Sequence, residues 1–314
     1  MNAPRADVVS IGECMVELAR DSDGRFGLAY GGDTFNTAVY MARCGAHVAY
    51  ASQFGDDPYS DAIVAMAKAD GLATNLMLRA AGRMPGLYLI ETAAGGERTF
   101  HYWRDRSPAR DLFEGDGSAV VAAAMAQARL VYFSGITLSL YSEAGLDRLA
   151  GAIEIARANG ALIAMDGNYR PRGWAGDSAR ARRIMERFWR LADIALPTFE
   201  DEAALWGDPD AAATVGRLSA LGLREITVKL GPDGAHVADG GQDLLVPIPA
   251  RVTAIDTSAA GDSFNGAYLA ARLHGIAATD AALEGHRLAG IVVQHRGAIA
   301  PREATAAAIV RRVA

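Results

Sequence analysis

Cysteine is scarce: Cys14 and Cys44 are the only two in 314 residues. That is too few for a disulfide framework or a cysteine-built zinc site, and two isolated thiols suit a reducing compartment. No basic block occurs. The 31 Lys and Arg against 37 Asp and Glu leave a net charge of −6, so a dedicated nucleic-acid binder is not expected. Long apolar runs are missing too. The most apolar window, 119–130, is broken by Gln127 and Arg129 and falls short of the ~20 residues that cross a membrane. Residues 1–7 carry no apolar core of the kind a secretory signal needs, and a cytoplasmic location is expected.

Several familiar signatures are absent as well. There is no G-x-x-x-x-G-K-[ST], so the phosphate-cradling P-loop is excluded. No G-x-G-x-x-G follows the first apolar run, which speaks against a nicotinamide enzyme, and neither H-E-x-x-H nor C-x-x-C occurs. The six histidines are scattered, so surface or packing roles are expected of them.

What is present is an ordinary globular composition, 51% hydrophobic and 22% charged, enough for a sizeable core. The length suits two average domains, or one large α/β domain with a smaller attachment. Short apolar runs at 8–12, 48–54, 130–134, 161–166, 194–196, 226–230 and 235–238 read as strands. Helical periodicity marks 117–128, 142–159, 178–191, 199–206, 211–221, 263–274 and 279–294. Strands alternating with helices imply a largely parallel sheet covered on both faces, with ligands beyond the carboxyl ends of its strands. One section differs. The runs 74–79, 86–92 and 97–104 are strand-like, joined by Ala81-Gly82 and Ala94-Gly95-Gly96, with no helix between them. With 13–30, they suggest a small separate sheet of the kind that closes over a site.

The chain is organised around Asp256-Thr257-Ser258-Ala259-Ala260-Gly261-Asp262, which opens an apolar helix. Small side chains let a ligand approach the backbone, and a helix start attracts phosphate oxygens. Asp262 would then lie beside the phosphate, where a base is useful; alternatively, Asp262 or Ser263 simply caps a surface helix. Gly31-Gly32-Asp33-Thr34-Phe35-Asn36 is a glycine turn entering a helix. Asp166-Gly167-Asn168-Tyr169-Arg170-Pro171 follows a strand, which places Asp166, Asn168 and Arg170 near the ligand-binding end of the sheet. Thr198-Phe199-Glu200-Asp201 is an acid-rich helix start. Lys229-Leu230-Gly231-Pro232-Asp233-Gly234 is a turn between strands.

Taken together, these segments resemble the ribokinase-like (PfkB) carbohydrate kinases. The first glycine turn is similar to that family's sugar-holding G-G-x-x-x-N, and residues 256–262 to its D-T-x-G-A-G-D, with Ala259 where glycine is usual. Residues 198–201 match its N-x-x-E with both ends changed, to Thr198 and Asp201. The resemblance implies an α/β/α three-layer sandwich with a β-sheet lid: a core of 1–12, 31–72 and 107–314, and a lid of 13–30 and 73–106. It also implies phosphoryl transfer from ATP to a primary sugar hydroxyl. Asp262 would be the base, and the N–H groups of Ala259, Ala260 and Gly261 the anion hole. Gly32, Asp33, Asn36, Tyr88, Tyr102, Arg104 and Arg170 would hold the sugar. Asn168, Lys229, Gly231, Gly234, Ala260 and Gly261 would border the nucleotide, with Asp201 linked indirectly to Mg²⁺. A monovalent cation is a further option.

Within the family, the whole combination, including residues 31–36 and 104–109, most resembles the branch acting on keto-deoxy sugar acids. A neutral-sugar kinase and a catalytically silent sugar-binding regulator are the alternatives. The uncovered apolar alternation of the lid leads us to expect a homo-oligomer that pairs through it.

Overall fold

In a computed structural model, the protein is described at residues 6–20, 23–92, 98–115 and 117–309. The expected Ala94-Gly95-Gly96 connection lies outside these. The strands are β1 (Val8–Ile11), β2 (Met15–Arg20), β3 (Phe26–Gly31), β4 (Val48–Phe54), β5 (Met77–Arg79), β6 (Leu87–Thr92) and β7 (Arg98–Trp103), followed by β8 (Leu130–Ser134), β9 (Leu162–Asp166), β10 (Ile194–Ala195), β11 (Glu225–Lys229), β12 (Ala235–Asp239) and β13 (Gln242–Val246). The helices are α1 (Asp33–Arg43), α2 (Pro58–Ala69), α3 (Gly117–Met125), α4 (Gly135–Leu140), α5 (Glu143–Ala158) and α6 (Ser178–Trp189), then α7 (Phe199–Trp206), α8 (Ala211–Ala220), α9 (Ala260–Leu273), α10 (Ala278–Val292) and α11 (Arg302–Ile309).

Nine strands form the main sheet in the order β13-β12-β11-β10-β9-β8-β1-β4-β5. From β11 to β5 every pairing is parallel; β12 and β13 fold back antiparallel at the edge. The central strands β1, β8 and β9 are mostly apolar and mostly buried, as expected where a sheet is covered on both faces. Val9, Ile11, Val131, Phe133, Ile163 and Met165 enter one core with Leu149 of α5 and Phe188 of α6. Val8, Tyr50, Leu130, Tyr132 and Ala164 enter the other with Phe35 of α1 and Tyr268 of α9. The result is helix, sheet, helix in three layers. Among the described residues, no helix is long and apolar enough to cross a membrane.

The second sheet has four strands, in the order β3-β2-β6-β7. Its inner face carries Met15, Tyr88 and Ile90, with Ala19 and Phe100 packed against them. The register sets Phe26 beside Arg20 and Leu28 beside Leu18 on the outer face, and Trp103 beside Leu87. There Phe26, Leu28 and Trp103 are 47%, 53% and 60% exposed.

Two expectations are corrected. The run 74–79, grouped above with the small sheet, yields β5, which pairs in parallel with β4 at the edge of the main sheet. A three-residue strand is too short for its pattern to reveal its partner. Second, α9 starts at Ala260, not at residue 263, and its N-cap is Ala259 with no side-chain capping bond. Asp262 and Ser263 therefore lie inside the helix and buried; neither caps a surface helix.

Candidate active site

Packing of α1 on α9 builds the centre of the site. A Cβ at Gly266 would come within 2.6 Å of Tyr40 Cβ, so glycine is what lets the two helices approach closely here. That closeness puts Asn36 against Asp262: Asn36 Nδ2 donates to Asp262 Oδ2 at 2.8 Å. On the other side, Asn168 Nδ2 donates to Asp33 Oδ2 at 2.9 Å, and the Asn168 N–H to Asp166 Oδ1 at 3.1 Å. Asn168 has φ 36, in the left-handed region that asparagine tolerates better than most residues. Lys229, at the end of β11, donates from Nζ to Asp166 Oδ2 at 2.7 Å and to Asn265 Oδ1 at 3.1 Å. Asn265 itself donates to Asp166 at 2.6 Å and to the Tyr132 hydroxyl at 3.2 Å.

Acids outnumber cations in this cluster. Burial, followed by the charge of Asp33, pushes the Asp262 carboxyl well above the usual carboxylate range. Burial also raises Asp33. A carboxyl whose ionised form is held at a cost is a competent proton acceptor near neutral pH. Beside it, the start of α9 is uncapped, so its positive end faces the cluster without a competing side chain. A Cβ on Gly261 would sit 3.5 Å from Lys229 Nζ, which places the ammonium beneath the helix start.

The remaining expected residues fall into three places. Gly32 caps α1, its N–H directed at Asn36 Oδ1 at 3.4 Å. Tyr88, on the inner face of the small sheet, gives its hydroxyl to Glu17. A Cβ on Gly31 would lie 3.2 Å from that hydroxyl and 3.5 Å from Asn36 Oδ1, so the tyrosine borders the Asn36–Asp262 pair. Tyr102 stands beside it, ring centroids 6.0 Å apart. Arg104 is bound to buried Glu13, and its guanidinium lies 5.9 Å from the Tyr102 ring.

Arg170 is tied to Asp201 at 2.7 Å, its side chain 54% exposed. Gly231 and Gly234 lie on the turn after β11, with φ 56 and 104, a conformation that favours glycine. The structure thus brings together Asp33, Asn36, Asn168, Lys229 and Asp262. Arg170 with Asp201 stands at the rim, and the Gly231–Gly234 turn begins two residues after Lys229.

Sequence reasoning did not single out Asn265, Glu13, Glu17 or Tyr132. Asn265 had a signal: it is one turn beyond Asp262 on the same helix and shares its face. Tyr132 had none, since it reads as a core residue of a buried strand.

Among the described residues, no group of three His, Cys, Asp or Glu could hold a metal, and Asp201 already serves Arg170. A Mg²⁺ ligated by protein alone does not fit here. The excess of buried acids suits instead a cation that arrives bound to phosphate.

A doubly covered α/β sheet with a buried carboxylate beside an uncapped helix start is the architecture of a sugar kinase of the ribokinase fold. The chain belongs to the pfkB family of carbohydrate kinases, whose profile matches residues 5–305. It is 40% identical over 306 residues to a 2-dehydro-3-deoxygluconokinase of Escherichia coli strain K12, covering 95% of this chain and 98% of that one. The crystal structure of a 2-dehydro-3-deoxygluconokinase from Thermotoga maritima is similar with a TM-score of 0.82 at 22% identity, covering 96% of this chain and 98% of that one. A fructokinase with bound ATP from Xylella fastidiosa gives 0.81 at 21%, covering 97% of each chain.

Proposed function

We propose that the protein transfers the γ-phosphoryl group of ATP to the primary hydroxyl of 2-keto-3-deoxygluconate, giving the 6-phosphate. One observation carries the choice of sugar: 40% identity, over nearly the full length of both chains, to an enzyme named for phosphorylating it.

In this reading Asp262 accepts the hydroxyl proton as the sugar oxygen attacks in line, and Asn36 holds the carboxylate in place through one oxygen. The N–H groups at the start of α9 receive the charge that grows on the phosphoryl oxygens, with Lys229 beneath them. Asp33 and Asn168 hold sugar and nucleotide on either side of the transfer. Mg²⁺ carried in on the nucleotide supplies further charge neutralisation. Arg170 is the cation aimed at the sugar carboxylate, since its planar fork suits that group.

The small sheet, residues 15–31 and 87–103, is the lid, with Tyr88 and Tyr102 facing the sugar. Its outer face, with Phe26, Leu28 and Trp103, pairs with the lid of a second copy, because exposed apolar surface of this kind seeks cover. A coupled ADP-release assay against 2-keto-3-deoxygluconate, fructose, ribose and a nucleoside tests the reading. Turnover is expected with the keto-deoxy acid; preferential turnover of fructose or ribose would replace it with a neutral-sugar kinase. ATP consumption unchanged by every sugar would indicate a silent regulator.

A further inference from the structure

Arg172 lies in the Pro171–Trp174 turn, part of the core and two residues past Arg170. Its Nη1 donates at 2.5 Å to the backbone oxygen of Phe100 in β7. That strand is the edge of the small sheet, so among the described residues one of its sides has no neighbouring strand to bond. The sheet is joined covalently to the core by four crossings, at 11–15, 31–33, 79–87 and 103–107. The Arg104–Glu13 pair and the bond from Arg83 to the Arg106 oxygen at 2.9 Å cluster at those crossings.

Arg172 grips the sheet further along, without a chain connection. What it grips is the aromatic wall: the Phe100 ring stacks on Tyr102 with centroids 6.3 Å apart and lies 6.4 Å from Tyr88. The geometry points to Arg172 as the latch of the lid, a positioning residue that acts through the Phe100 backbone to hold Tyr88 and Tyr102 over the sugar. This rests on reading the small sheet as a lid. It goes beyond the sugar contacts, because Arg172 needs no contact with substrate to do it.

A latch of this kind should set sugar affinity and leave phosphoryl transfer nearly untouched. The full-length chain carrying Arg172→Ala or Arg172→Lys separates the two. Hydrogen–deuterium exchange without ligand reads the latch directly: in Arg172→Ala, peptides covering 98–106 should exchange about 5-fold faster, the scale of one lost exposed hydrogen bond. Peptides from β11 should not change.

In kinetics, KM for whichever sugar the wild type phosphorylates should rise about 5–10-fold with kcat within about twofold. The lysine variant should recover part of both effects. Unchanged exchange at 98–106 would overturn the proposal. So would a fall in kcat at constant KM, which would place Arg172 on the transferring phosphate. If the wild type prefers a neutral sugar, the substrate assignment fails, while both readouts still judge the latch.

Discussion

Replacing Asp262 with asparagine pulls apart the two consequences of burying this carboxylate. Asparagine is the same size, and its side-chain oxygen can still accept the 2.8 Å bond from Asn36, but it cannot take up a proton. Loss of a general base costs about 10²–10⁴-fold, and kcat should fall by that much.

Stability should move the opposite way. The folded chain raises the Asp262 pKa, through burial first and Asp33 second, above the ~3.9 of an unfolded aspartate. Between those two values the folded state binds more protons than the unfolded one. Stability therefore declines as pH rises through that window, and the loss is complete above the folded pKa. Each unit of elevation costs about 1.4 kcal/mol at neutral pH, and asparagine is free of it. For a chain this long, 1 kcal/mol corresponds to about 1–2 °C in Tm. Asp262→Asn should thus melt a few degrees above the wild type near pH 7.5, with a smaller gap near pH 5.

Calorimetry at both pH values, beside ADP release, tests the pair of effects. A variant that keeps more than about a tenth of kcat is inconsistent with a base. One no more stable than the wild type near pH 7.5 is inconsistent with the electrostatics. In the wild type, the acid limb of kcat/KM should lie above the range of an ordinary carboxylate, since the raised pKa keeps the base protonated to higher pH.

Other substitutions probe the surroundings. Lys229→Met takes the cation from buried Asp166 and should destabilise by about 3–5 kcal/mol; thermal melts should show part of this recovered when Asp166→Asn is added. Gly135→Ala would place a Cβ on the carbonyl oxygen of Gly167, and such overpacking costs about 1–3 kcal/mol. It should lower kcat together with Tm, because Asp166 and Asn168 flank that carbonyl. Arg170→Ala should reduce kcat/KM for 2-keto-3-deoxygluconate by roughly 10–100-fold, the scale of a charged hydrogen bond, and for a neutral sugar much less; equal losses would remove the carboxylate role. Light scattering should find at least a dimer for the wild type and a monomer for Leu28→Glu; a monomeric wild type would remove the pairing through the small sheet.

The three layers were legible because glycines and short apolar runs punctuate the chain. Buried strands such as β8 and β9 show no alternation and can only belong to a doubly covered sheet. Short elements were harder. α4 has six residues, and its only announcement is the reciprocal capping of Ser134 and Thr137. β13 is exposed at four of its five positions, Leu244 and Leu245 among them, so its apolar residues show no alternation between a buried and a solvent face. At the site, Asp262, Asn36 and Asn168 could be singled out because each lies beside a glycine turn or a strand end. Glu13 and Glu17 could not. Nothing in their spacing marks two acidic residues as buried, and only the fold sets them, buried, against Arg104 and Tyr88.

The bond between Asn36 and Asp262 spans 226 positions of chain, and the one from Tyr40 to the Ala298 oxygen spans 258. During synthesis at about 5–20 residues per second, α1 therefore leaves the ribosome on the order of 10–45 s before the helix that completes it. Through that interval Phe35, Val39 and Tyr40 have no α9 to cover them. The nascent protein thus carries an uncovered apolar face on α1 until α9 has been made. A chaperone that recognises exposed apolar surface would have that whole interval to find it.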